Sequence, residues 1–113
     1  MKFYWLRDEE WRPVTCIAYN DENPYEVEFQ LATWNPLDNL SKDMGRMIAA
    51  GRLASRKGVF VVPHNGHVKR AIIEAIAADS GHPNRARKAA SMWLSYENSM
   101  DEFIELIANS NAV

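Results

Sequence analysis

The sequence predicts an α+β domain in which a small, mostly antiparallel sheet of about four strands is covered by helices. Three observations carry this expectation. Residues 25–31 alternate apolar and polar side chains, the apolar period changes from two to near 3.6 after residue 38, and helical spacing then continues with one short apolar interruption at 59–62. The expected order is βββαβααα, arranged as a single layer pair, with residues 1–113 forming one domain.

Each element has its own signal. Residues 3–7 (Phe3-Tyr4-Trp5-Leu6-Arg7) and 13–19 are aromatic and β-branched, and the polar Asp8-Glu9-Glu10 between them predicts a hairpin. After the turn-like Asn20-Asp21-Glu22-Asn23-Pro24, Tyr25, Val27, Phe29 and Leu31 alternate with Glu26, Glu28 and Gln30, so one face of this strand is buried. Trp34-Asn35-Pro36 breaks the strand, and Asp38 or Ser41 can cap a helix running to about Arg56. Met44, Met47, Ile48, Gly51 and Ala54 recur at helical spacing and are expected to face the sheet. Lys42, Arg46, Arg56 and Lys57 then fall within an arc of about 100° on the exposed side.

Gly58 ends that helix. Val59-Phe60-Val61-Val62 reads as a buried strand, reached by a right-handed crossover if it runs parallel to an earlier one. Val68 to Ala78 forms a second helix closing at Ser80-Gly81, and Pro83 opens a third that ends around Glu97. Ser99-Met100-Asp101-Glu102 matches a capping box, which predicts a fourth, short helix with Met100, Phe103, Ile104 and Ile107 on one stripe.

Composition bounds the function classes. The chain has 113 residues, 47% of them apolar and 25% charged, which excludes disorder; no apolar run approaches the ~18 residues of a membrane span. The N-terminal Met1-Lys2-Phe3-Tyr4-Trp5 lacks the features of a signal peptide, and the one cysteine, Cys16, has no internal disulfide partner. A cytoplasmic protein is expected, with Cys16 as a small core residue.

The formal net charge of −2 conceals segregation. Residues 1–41 carry −5, residues 42–88 carry +7, and residues 89–113 carry −4 with no base at all. Such a layout points to an anionic partner for the middle block, or to its neutralisation by the acidic ends. Lys69 and Arg70 open the second helix, and Arg85, Arg87 and Lys88 open the third, although cations in a first turn oppose the helix dipole. Exposed N–H groups and basic side chains together favour an anion, whether phosphate or a partner's carboxylate. Pairing of these cations with the acidic ends competes with that explanation.

His64-Asn65-Gly66-His67 resembles the H-x-G-H signature of nucleotidyltransferases and class I aminoacyl-tRNA synthetases, and a strand precedes it as in those families. The resemblance implies nucleotide-dependent chemistry on a doubly wound parallel sheet, for which no later strand is available. A turn using Asn65-Gly66 is the preferred alternative, and in a hairpin version of it residues 68–73 would be a strand. His64, His67, Asp79 and His82 cannot share one metal if residues 67–79 are helical, since the helix ends lie about 18 Å apart. No catalytic residue, cofactor or metal is assigned.

Trp5 and Trp93 fit apolar faces, whereas Trp11 and Trp34 sit beside turns and are interface candidates. The preferred reading is a non-enzymatic interaction module, homodimeric, that regulates or inhibits a protein partner or nucleic-acid-handling complex through charged and aromatic surfaces. Its candidate binding residues are Arg46, Arg56, Lys57, Lys69, Arg70, Arg85, Arg87, Lys88, Trp11 and Trp34. The alternative is direct nucleic-acid binding through the basic segment 42–88, which lacks a recognisable helix-turn-helix or ribonucleoprotein signature.

Overall fold

The alternation read in the first third becomes three strands: β1 (Lys2–Arg7), β2 (Pro13–Asn20) and β3 (Glu26–Thr33). The computed structural model describes residues 1–35 and 41–110, so the expected roles of Pro36 and Asp38 fall outside the described residues. Short turns permit only antiparallel pairing between neighbours, and the registers Tyr4↔Ile17 and Ile17↔Leu31 put like-facing apolar residues side by side. After α1 (Lys42–Ala54) the chain returns to β4 (Phe60–Pro63), which pairs antiparallel to β3 and completes the order β1-β2-β3-β4. The return needs no parallel crossover. β4 is also an edge strand with Val61 exposed, not the fully buried strand its apolar run predicts. Two helices follow, α2 (Val68–Ala78) and α3 (Asn84–Ser110).

The four-stranded antiparallel sheet and the α+β class are as the sequence predicts. The helices, however, are divided between the two faces, so the sheet is a middle layer and not half of a layer pair. On one face Leu6, Ile17, Tyr19, Val27, Phe29 and Leu31 meet Ile72, Ile73 and Ile76 of α2 and Ala86, Ala89 and Ala90 of α3. On the other, Cys16, Ala18, Ala32 and Trp34, flanked by Trp5, meet Ala49 and Leu53 of α1. Period-two alternation exposes β2 to both helical layers, which explains its run of six buried residues.

α1 is rotated relative to the expectation. Its buried stripe is Gly45, Ala49 and Leu53, while Met44, Met47, Ile48, Gly51 and Ala54 are exposed. The reason lies beneath it, where Trp5 and Trp34 pack edge to face with centroids 5.2 Å apart and leave no depth for methionine. A Cβ on Gly45 would stand 2.8 Å from ring atoms of both tryptophans, so the helix sits on the rings through its smallest residues. Ser41 caps it, its hydroxyl accepting the Met44 N–H at 3.1 Å. The expected basic arc lies beside the sheet and not opposite it, although Lys42, Arg56 and Lys57 remain exposed: Lys42 lies 6.0 Å from the Trp5 ring centre, and Arg56, beyond the helix end at φ 60°, folds back onto Glu28.

α3 also departs from the expectation. A break near residue 98 followed by a separate capped helix is replaced by one helix of 27 residues. The Ser99 hydroxyl, read as a cap, donates to the Ser95 carbonyl one turn back, and no glycine or proline interrupts residues 84–110.

Candidate interaction surface

The β1–β2 turn is built around one carboxylate. Asp8 Oδ1 accepts the N–H groups of Glu10 and Arg12, both at 2.9 Å, and Oδ2 accepts Arg12 Nε at 3.0 Å. The Arg12 N–H, above all, holds the Asp8 carboxyl below its ordinary range. Inside this loop Trp11 donates its N–H to Asp8 O, its carbonyl accepts from Arg7, and its φ is 66°. That left-handed conformation costs a bulky residue about 1–3 kcal/mol, which the surrounding hydrogen bonds offset. The indole is thereby held outward, 73% exposed.

Next to this tip lies a recess of about 360 Å³, lined among others by Glu10, Arg12, Val14, Arg85, Lys88 and Met92. Lys88 Nζ reaches Glu9 at 2.6 Å and ties the start of α3 to the hairpin. Arg85 is exposed and makes no ion pair among the described residues. Arg87 is half-buried, with an Nε that has no hydrogen-bond partner among those residues.

The other candidate cations lie elsewhere. Lys69 stands 4.8 Å over the Tyr4 ring, and Arg70 binds Glu74, Asn98 and Asp101. Since Arg70 touches α3 at residues 98–101, it lies roughly 20 Å along that helix from Arg85. Arg46 pairs with Asp43 and Arg56 with Glu28 on the α1 side of the sheet, where Lys57 is exposed. The eight cations therefore do not converge on one surface. Three of the pairs, Lys88–Glu9, Arg56–Glu28 and Arg70–Asp101, join the basic middle block to the acidic ends. Neutralisation within the chain accounts for two of the five first-turn cations that oppose the helix dipoles, Arg70 and Lys88.

Trp34 is a correction: the turn beside it does not expose it. Its N–H bonds the Val14 carbonyl at 3.2 Å, and its ring lies buried against Trp5 and under Gly45.

His64 is taken up by loop architecture. Its Nδ1 accepts the Gly66 N–H at 3.0 Å, so Nε2 carries the proton and donates to the Asn23 carbonyl at 3.0 Å. His64 thus clamps the β2–β3 turn to the β4–α2 turn, in which Gly66 has φ 101°. The strand before it is the antiparallel β4, unlike the parallel strand that the H-x-G-H resemblance implies. His82 lies apart from it, buried 4.5 Å from the Phe60 ring centre. Among the described residues no three His, Cys, Asp or Glu side chains are grouped to hold a metal. Cys16 is buried, and burial pushes its thiol up to about 11, which removes thiolate character at neutral pH.

Comparison with protein-family models, with curated proteins and with solved structures gives no match. Site geometry alone therefore carries the functional reading. Two features of it were not singled out from sequence. One is Asp8, whose Asp-x-x-x-Arg spacing to Arg12 was a readable turn signal. The other is the exposure of the stripe Met100, Phe103, Ile104 and Ile107, which the sequence shows as a stripe but does not show as uncovered.

Proposed function

We propose that this chain is a non-enzymatic interaction module that regulates or inhibits a protein partner, docking it with the hairpin tip at Trp11 and the adjoining charged recess. The observation that carries the reading is a tryptophan fixed outward in a left-handed conformation by a dedicated carboxylate. An aromatic anchor of this kind loses little conformational freedom on binding, and tryptophan is enriched among residues that dominate interface energies. Arg85 and Lys88 beside it would meet acidic groups of the partner and set orientation and association rate more than affinity.

The test is site-specific photo-cross-linking from position 11 in the cytoplasm of a host cell, with Tyr25 as control. Tyr25 is 76% exposed at the opposite end of the sheet. Support is a discrete adduct from position 11 that is absent from position 25 and is reduced by Arg85→Glu. Equal or absent adducts from the two positions overturn the reading. Salt-sensitive binding of mixed-sequence DNA or RNA that is lost in Arg85→Glu/Lys88→Glu would replace it with the nucleic-acid alternative.

A further inference from the structure

α3 continues one apolar stripe through two environments. In its first half Ala86, Ala89, Ala90 and Trp93 pack on the sheet and α2. The same heptad phase then runs through Tyr96, Met100, Phe103 and Ile107, with Ile104 beside it, but these side chains are 43–66% exposed. α2 extends only as far as Arg70's contacts with Asn98 and Asp101, so beyond them α3 is an arm. The arm's charges are Asp101, Glu102 and Glu105, following Glu97, without a base from residue 89 onward.

A second apolar face is exposed on the opposite side of the sheet. Met44, Met47 and Ile48 line the outer side of α1 and are 47%, 74% and 37% exposed, with Gly51 open beside them. Here the charge has the other sign: Arg46 and Arg56 are neutralised by Asp43 and Glu28, but Lys42, Arg52 and Lys57 flank this face, exposed and without an ion pair among the described residues. The stripe from Met100 to Ile107, about 12 Å long at 1.5 Å per residue, is short enough to lie along α1, which is about 20 Å long.

We propose that a second copy of this chain covers both faces, the arm of each protomer lying along α1 of the other. Two faces complementary in charge and both apolar then bury each other twice in one two-fold dimer, in which the arm contacts α1 and α1 contacts the arm. Methionines on α1 suit this role because their flexible side chains mould to Phe103 and the isoleucines. Packing of arm on arm would leave both α1 faces exposed and set two all-acidic segments together. The surface lies at the far end of α3 from Trp11 and does not depend on the function proposed above.

The experiment uses the full chain at micromolar concentration, with mass measured by sedimentation or light scattering. Wild type is expected at twice 12.9 kDa. Phe103→Glu and Met47→Glu are each expected to weaken association roughly thirtyfold or more, as for loss of an interface anchor, while circular dichroism is unchanged because both side chains are exposed. Mixing the two variants decides the arrangement. The arm of the Met47→Glu chain is intact, as is α1 of the Phe103→Glu chain, so the mixture regains a heterodimer held by one of the two contacts. A monomeric wild type overturns the proposal. So does a dimer that Met47→Glu leaves intact, or a mixture that stays monomeric.

Discussion

The two faces of the sheet are packed by opposite strategies. Toward α2 and α3, large aliphatic side chains interlock: Ile72, Ile73 and Ile76 are fully buried against Val27, Phe29 and Leu31. Toward α1 the bulk belongs to the sheet side, in Trp5 and Trp34, and the helix answers with Gly45 and Ala49. The first face gains stability from the volume it buries, the second from how closely a backbone can approach two rings. Mutations that shrink a side chain should therefore injure the first face, and mutations that enlarge one should injure the second.

The largest effect is expected on the aliphatic face. Ile73→Ala should cost about 2–5 kcal/mol, because burial is lost and the rigid surroundings leave a cavity. Urea unfolding monitored by circular dichroism measures it, and a loss below about 1 kcal/mol would show that this face can collapse. On the α1 face Gly45→Ala reverses the usual expectation for a helix. Alanine is the better helix former by about 1 kcal/mol, yet its methyl would press on both tryptophans, and a net destabilisation of about 1–3 kcal/mol is expected. Stabilisation in the same assay would mean that the rings can move aside.

A smaller effect follows from His82, lodged at the edge of the aliphatic face against Phe60 and 6.3 Å from the Phe29 ring centre. Burial lowers its imidazole below the ordinary value of 6.5 and the Arg87 guanidinium lowers it further, while Asp79 opposes both. The folded state thus favours the neutral ring. Stability is unaffected by this group above pH 6.5 and declines as pH falls below it, because the unfolded chain takes up the proton first. Thermal unfolding across pH 5–8 should show that limb, and His82→Phe should flatten it. An unchanged limb would assign it to other groups.

Legibility in the sequence follows the same contrast. The aliphatic face was readable because alternation in residues 25–31 and the isoleucines of residues 68–78 state their burial directly. The orientation of α1 was not, because that helix carries two stripes about 150° apart at 100° per residue, and hydropathy favours Met44, Met47 and Ile48 over Gly45 and Ala49. Only the paired rings beneath, brought together across β1 and the end of β3, make small size the deciding property. Ser99 misled for a local reason, since a serine hydroxyl can cap a helix start or bond the carbonyl one turn back. For the candidate surface, Trp11 was legible as an aromatic beside a turn. Trp34 had the same sequence signal, and tertiary burial alone separates them. The dispersal of the basic residues could not be read from charge blocks, because it depends on which side of the sheet each helix takes.

The hydrogen bond from Trp93 Nε1 to the Tyr4 hydroxyl, 2.8 Å long, spans 89 positions of sequence. Every strand otherwise pairs with its neighbour in the chain, so the sheet can grow by short loop closures before this contact exists. Joining β1 to α3 closes the longest loop, the one with the greatest entropic cost, and is useful only once α2 and α3 have docked. Loop entropy thus predicts that it forms in the final stage of folding and latches the native state against unfolding. Trp93→Phe should accordingly quicken unfolding in stopped-flow chevrons while leaving the refolding limb almost where it was.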